Sequence, residues 1–108
     1  MFAGGSRSFS IYPLRVVSIT IEKNENAPAS ILISVPKKRF KRAVKRNRIK
    51  RQIREAYRKN KYILFDVLEK HEYSAAIAFI YVSSEEFSSS EIEEKIKIAL
   101  ARIGEKLE

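Results

Sequence analysis

Residues 74–82, Ser-Ala-Ala-Ile-Ala-Phe-Ile-Tyr-Val, form a nearly continuous apolar run of strand length. A run of this kind predicts a strand buried on both faces, which belongs at the centre of a sheet rather than at its edge. It is too short to cross a bilayer, and nowhere does the chain hold the ~18 consecutive apolar residues that a spanning helix requires. The opening Met1-Phe2-Ala3-Gly4-Gly5-Ser6-Arg7 lacks the apolar core of a signal peptide. A cytoplasmic protein without membrane association is the expectation.

The other elements arrange themselves around that strand. Leu14–Glu22 is β-branched and partly alternating, with Val17, Ile19 and Ile21 on one face and Val16, Ser18 and Thr20 on the other. Residues 23–28 carry turn chemistry, and Ser30–Val35 reads as a second strand, so a hairpin is expected, ended by Pro36. Residues 1–12, rich in Gly and Ser near their start, read as a flexible or edge segment. Lys41–Arg58 contains no Gly or Pro and is built from good helix formers, predicting a helix; Tyr62–Glu69 adds a short second one. Ser90-Glu91-Ile92-Glu93 fits a capping box, and Ile92, Ile96, Ala99, Leu100, Ile103 and Leu107 then recur at helical spacing. The order is ββαβα, an α+β sandwich in a single domain spanning residues 1–108, with no internal repeat. A crossover between parallel strands would be right-handed by the general rule.

The chain carries a net charge of +9, and its distribution says more than its size. Between Lys37 and Lys61 stand fourteen Lys or Arg against one acid, Glu55, a local balance of +13; the remaining residues sum to −4. A merely soluble basic protein would spread its charge, so this segment marks the binding site for a polyanion.

At about 100° per residue, with Arg46 at zero, Ile49, Ile53, Ala56 and Tyr57 fall between about 280° and 20°, the core-facing stripe. Arg46, Asn47, Lys50, Arg51, Arg54 and Arg58 fall between about 0° and 140°. Packing and binding therefore use adjacent arcs of one helix. A solvated face would mix signs and gain i,i+4 pairs, whereas Arg46, Lys50, Arg54 and Arg58 repel one another at each step by a few tenths of a kcal/mol. A phosphate backbone accounts for that arrangement: Arg offers a planar fork, Lys a point charge, and Asn47 a donor to sugar or base.

Catalytic chemistry finds little support. With no Cys, thiolate metal sites and disulfides are excluded, and the single His71 has no second imidazole with which to share a metal. His71 follows Glu69-Lys70 in a polar turn without a nucleophile motif. The acid pairs Glu85-Glu86 and Glu93-Glu94 could be imagined as Mg²⁺ ligands, but one pair lies in a polar loop and the other at a helix start, where the dipole alone favours acids.

The residues also carry a specific likeness. Val35-Pro36-Lys37-Lys38, then after four residues Ala43-Val44-Lys45-Arg46-Asn47-Arg48-Ile49-Lys50-Arg51-Gln52-Ile53-Arg54-Glu55-Ala56-Tyr57-Arg58, closely resembles the signature of the protein subunit of bacterial ribonuclease P. The strands and closing helix follow that family's order over most of the chain. The resemblance implies a ribonucleoprotein that removes the 5′ leader from precursor tRNA, an endonuclease whose catalysis belongs to the RNA subunit and its Mg²⁺ ions. No cofactor bound by protein side chains and no obligate protein partner is expected. The motif carries RNA contacts to Arg46, Asn47, Lys50, Arg51 and Arg54, with Lys37, Lys38, Arg42, Arg48 and Arg58 as further phosphate contacts. It also implies a left-handed strand–helix–strand crossover, against the general rule.

A cleft for the leader as a single strand needs stacking platforms and polar side chains. Candidates are Val16, Ser18 and Thr20, Phe9 or Tyr12 before them, and Phe79 or Tyr81, the last two competing with a core role. Members of the family begin with a helix that walls this cleft, and nothing before Gly4-Gly5 looks like it. Pro36 stands where the family commonly has Ser. Two other readings stay open: a structural RNA-binding module of ribosomal-protein type, and a DNA-reading helix, which lacks a helix-turn-helix partner and a dimer seam.

Overall fold

The computed structural model describes residues 6–23 and 26–107. The strands are β1 (Ser6–Ile11), β2 (Leu14–Glu22), β3 (Ala29–Ser34) and β4 (Tyr73–Tyr81); the helices are α1 (Ala43–Asn60), α2 (Tyr62–Leu68) and α3 (Ser89–Leu107). One four-stranded sheet has the order β1-β2-β4-β3. β1 and β2 form a hairpin across Tyr12-Pro13, β2 pairs antiparallel with β4, and β3 runs parallel to β4.

This is the expected α+β sandwich, with two differences in the sheet. β3 does not form a hairpin with β2, because β4 stands between them. The most apolar strand takes the centre, where both of its hydrogen-bonding edges are satisfied. β3 reaches its other side through the α1–α2 crossover. The N-terminal segment supplies the hairpin partner of β2 instead, with Ser6–Ile11 as an edge strand, while residues 1–5 lie outside the described residues.

The second difference concerns the faces of β4. Ala75, Ile77, Phe79 and Tyr81 are buried, whereas Ala76, Ala78 and Ile80 are only partly so. β4 is central but covered on one face. On that face Leu14 and Val16 of β2 pair with Tyr81 and Phe79, and the helices close over them with Ile49, Ile53, Leu64, Leu68, Ile92, Ile96, Leu100 and Ile103. α3 packs on α1, α2, β1 and β2, tying the layer together. Gly104 is buried where α3 meets α2, and a Cβ there would come within 3.3 Å of Val67 Cγ2.

The capping box of α3 lies two residues earlier than the sequence reading placed it. Glu91 N donates to Ser88 Oγ at 3.2 Å while Ser88 N donates to Glu91 Oε1 at 3.2 Å. The Ser-x-x-Glu spacing occurs at both Ser88–Glu91 and Ser90–Glu93, and the reciprocal hydrogen bonds form at the earlier one. α1 starts at Ala43 rather than Lys41.

Candidate nucleic-acid interface

α1 is held along one flank and free along another. Ile49, Ile53, Ala56 and Tyr57 are buried as the helical wheel requires. Gln52 Nε2 donates to the Phe87 carbonyl and to Ser89 Oγ, and Asn60 Nδ2 donates to Glu93 Oε2 at 3.1 Å, fastening the helix to α3 and the loop before it. Asn60 is buried, and its amide also caps the Ala56 carbonyl.

The basic residues divide into three groups by what they touch. Lys50, Arg51 and Arg54, with Asn47 between them, make no ion pair among the described residues; Asn47, Arg51 and Arg54 are exposed and Lys50 is half-buried. Lys37, Lys38 and Arg42, on the loop entering the helix, are exposed too. Arg58 is paired with Glu55, Nε to Oε1 at 2.8 Å and Nη2 to Oε2 at 2.8 Å, which lowers the carboxyl pKa and raises that of the guanidinium. Lys45 and Arg48 both reach Glu86 on the β4–α3 loop. Arg46 turns back instead: Nη1 donates to the carbonyls of Phe40 and Lys41, both at 2.8 Å, so it shapes the entry loop as well as standing on the cationic face. Periodicity could not separate these groups, because the partners of Arg46 and Arg48 lie off the helix.

The groove candidates are redistributed. Val16, Phe79 and Tyr81 are fully buried under the helices and Ser18 nearly so, which removes them as a contact surface; Thr20 shares their face, half-buried. Phe9 also faces the core, with the Arg102 guanidinium over its ring. Tyr12 is exposed at the β1–β2 turn, donating to Ser83 Oγ at 2.9 Å and meeting Phe87 edge-on.

The sheet face left open carries the alternate residues. Val17 and Ile19 of β2, Ala76 and Ala78 of β4, and Ser30 and Leu32 of β3 line a shallow trough of about 250 Å³. The two alanines form its floor; Ile19 and Leu32, 38% and 67% exposed, form its walls. Ser8 and Ser10 sit on the same face, opposite Val17 and Arg15. The described lining of this trough contains no aromatic ring, so the expected stacking platform is absent from it. The signal for the face was present in the sequence as the Val17-Ile19-Ile21 alternation. Assigning it required knowing which face the helices cover.

No group of three or more His, Asp or Glu able to hold a metal occurs among the described residues. No described helix is long and apolar enough to cross a membrane.

The fold matches that of the Thermotoga maritima RNase P protein with a TM-score of 0.71, at 22% identity, over 90% of this chain and 83% of that one. The Staphylococcus aureus RNase P protein matches with a TM-score of 0.61 at 23% identity, over 95% and 84% of the two chains. In sequence, the ribonuclease P family profile matches residues 5–104. A ribonuclease P protein component from Porphyromonas gingivalis is 48% identical over 101 residues, 94% of this chain and 74% of the relative. One from Chlorobaculum tepidum is 38% identical over 87 residues, 75% and 56% of the two. The chain belongs to the family of ribonuclease P protein components.

Proposed function

We propose that this protein binds the RNA subunit of ribonuclease P through the Lys50, Arg51, Arg54 and Asn47 face of α1 and its entry loop, and assists that RNA in removing the 5′ leader of precursor tRNA. The observation that carries the reading is the cationic arc of α1, which repels itself beside a firmly packed core stripe and whose Lys50, Arg51 and Arg54 make no ion pair among the described residues. Each guanidinium there can meet phosphate oxygens as a fork, and Asn47 can donate to a sugar or base edge.

The open trough is the surface for the leader. Single-stranded RNA laid along β4 would meet the alanine floor with its bases and the serines of β1 and β3 with its backbone. Apolar contact and hydroxyl donors, rather than ring stacking, would hold it, so discrimination among leader sequences should be weak. α1 packs against α3 and β3, and β3 is the edge strand that carries Leu32, so cationic helix and trough share that side of the molecule. The cleavage itself is assigned to the RNA subunit with its Mg²⁺ ions, the protein supplying charge and position. The cytoplasm, where precursor tRNA is processed in bacteria, is the compartment this role implies.

The test is precursor-tRNA cleavage at low Mg²⁺ with the RNA subunit alone, the protein alone, and both. Stimulation of the RNA by the protein, with negligible cleavage by the protein alone, is expected. Robust cleavage by the protein alone would overturn the division of labour. Preference for ribosomal RNA over the ribonuclease P RNA in direct binding would favour a structural RNA-binding role instead.

A further inference from the structure

The entrance to α1 and the loop after β4 are both fixed to one side chain. Tyr81 is fully buried. Its ring packs against Phe40, 5.9 Å between centroids, and its hydroxyl donates to the Glu85 carbonyl at 2.6 Å. Phe40 itself is buried and lies in a turn closed by Arg39 N and Phe40 N donating to the Pro36 carbonyl at 3.0 and 3.4 Å. Across from it, Glu85 N donates to Ser83 Oγ at 3.0 Å. The Arg46 clamp on the Phe40 and Lys41 carbonyls completes the near wall.

Between these walls is a cavity of about 560 Å³, lined by Arg39, Lys41, Arg42 and Lys45 on one side and Ser84 and Glu86 on the other. Four cations face a single acid. Arg39, one of the lining residues, has its Nε buried with no hydrogen-bond partner among the described residues. The helix that starts here has neither a side-chain N-cap nor an acid in its first turn. Glu86 puts one oxygen 3.2 Å from Lys45 Nζ and the other 3.3 Å from Arg48 Nη1, bridging two bases with one anionic group. A tetrahedral phosphate oxyanion makes the same kind of bridge, with more oxygens to offer Arg39 and Arg42.

We propose that this cavity is a phosphate-binding site in which the Glu86 carboxylate holds the place of the ligand until a phosphate group displaces it. The ligand chemistry is a phosphate oxyanion, supplied by an RNA phosphodiester or by free inorganic phosphate. Glu86 then works as an internal competitor, weakening contact with phosphates that cannot also reach the rest of the cavity. The inference deepens the reading of α1 as an RNA-contacting helix, and rests on it only for the RNA source.

The test uses the full chain, with Glu86→Gln against Glu85→Gln, which removes the same charge from a neighbour whose side chain does not line the cavity. Inorganic phosphate is titrated while backbone amide shifts are followed, and affinity for the ribonuclease P RNA is measured across salt. Exposed ion pairs being individually weak, E86Q is expected to tighten phosphate binding by roughly two- to tenfold, with shifts centred on residues 39–45, while E85Q does not. Thermal melts confirm that both variants fold. A parallel gain in RNA affinity identifies the phosphodiester as the ligand; a gain confined to inorganic phosphate identifies the free ion. Equal behaviour of E86Q and E85Q toward inorganic phosphate would overturn the site. Loss of RNA binding on substituting Lys50, Arg51 and Arg54 is independent of that result, so failure of the cavity and failure of the α1 reading are told apart.

Discussion

Replacing Lys50, Arg51 and Arg54 together by Ala tests the cationic face at the side chains with the fewest structural duties. None belongs to the buried stripe, and none makes an ion pair among the described residues. The change removes the like-charge steps from Arg46 to Lys50, Lys50 to Arg54 and Arg54 to Arg58. Each costs roughly 0.2–0.5 kcal/mol, and Ala has the highest helix propensity, so the variant should melt at or above the wild-type temperature. Any loss of binding is then not a loss of folding. Each phosphate contact contributes roughly 0.7–0.9 to the slope of log affinity against log salt. Three lost contacts should flatten the slope by roughly 2 to 3. Across a fourfold change, from about 50 to about 200 mM salt, the variant's deficit should shrink by roughly 20- to 40-fold. The assay is equilibrium binding to the ribonuclease P RNA over that range, paired with thermal denaturation. A stable variant whose salt slope matches wild type would refute the assignment of this face to phosphate contact.

Leu32→Ser, on the open trough, should change stability by less than about 0.5 kcal/mol because the side chain is two-thirds exposed; in the holoenzyme it should weaken precursor-tRNA binding without affecting mature tRNA, read as separate dissociation constants. The Tyr57 hydroxyl is buried with no hydrogen-bond partner among the described residues, so Tyr57→Phe should raise unfolding free energy by about 0.5–1 kcal/mol in urea denaturation; a loss of that size would reveal a partner. Burial, followed by the nearby Tyr12 and the acids Glu86, Glu85 and Glu91, pushes the Tyr81 pKa up to about 12. The folded state thus keeps a proton that the unfolded chain releases near pH 10, so stability should fall by roughly 2–3 kcal/mol as pH rises from about 10 to 12. Tyr81→Phe should abolish that component of the alkaline loss, measured as the difference between the two pH–stability curves.

The local sequence determined most of the elements, the basic helix among them. Alternation placed β2 at Leu14–Glu22, the apolar run placed β4 at the centre of the sheet, and the 3.6-residue period separated Ile49, Ile53, Ala56 and Tyr57 from the cationic arc beside them. Each of these rests on interactions within one strand or one turn of helix, which a single segment encodes. Tertiary structure decided what depends on distant partners. Whether β3 pairs with β2 or β4 is a competition between segments, settled by burying the most apolar strand between two neighbours. Which face of the sheet stays open depends on where the helices land, so Val16 and Ser18 became core and Val17, Ile19 and Leu32 became surface. The same holds within the cationic segment: Lys50, Arg51 and Arg54 make no ion pair among the described residues, while Lys45 and Arg48 meet an acid some forty positions away. Charge pattern alone identified the segment, because charge is carried by composition; the division of labour inside it required the fold to bring Glu86 alongside.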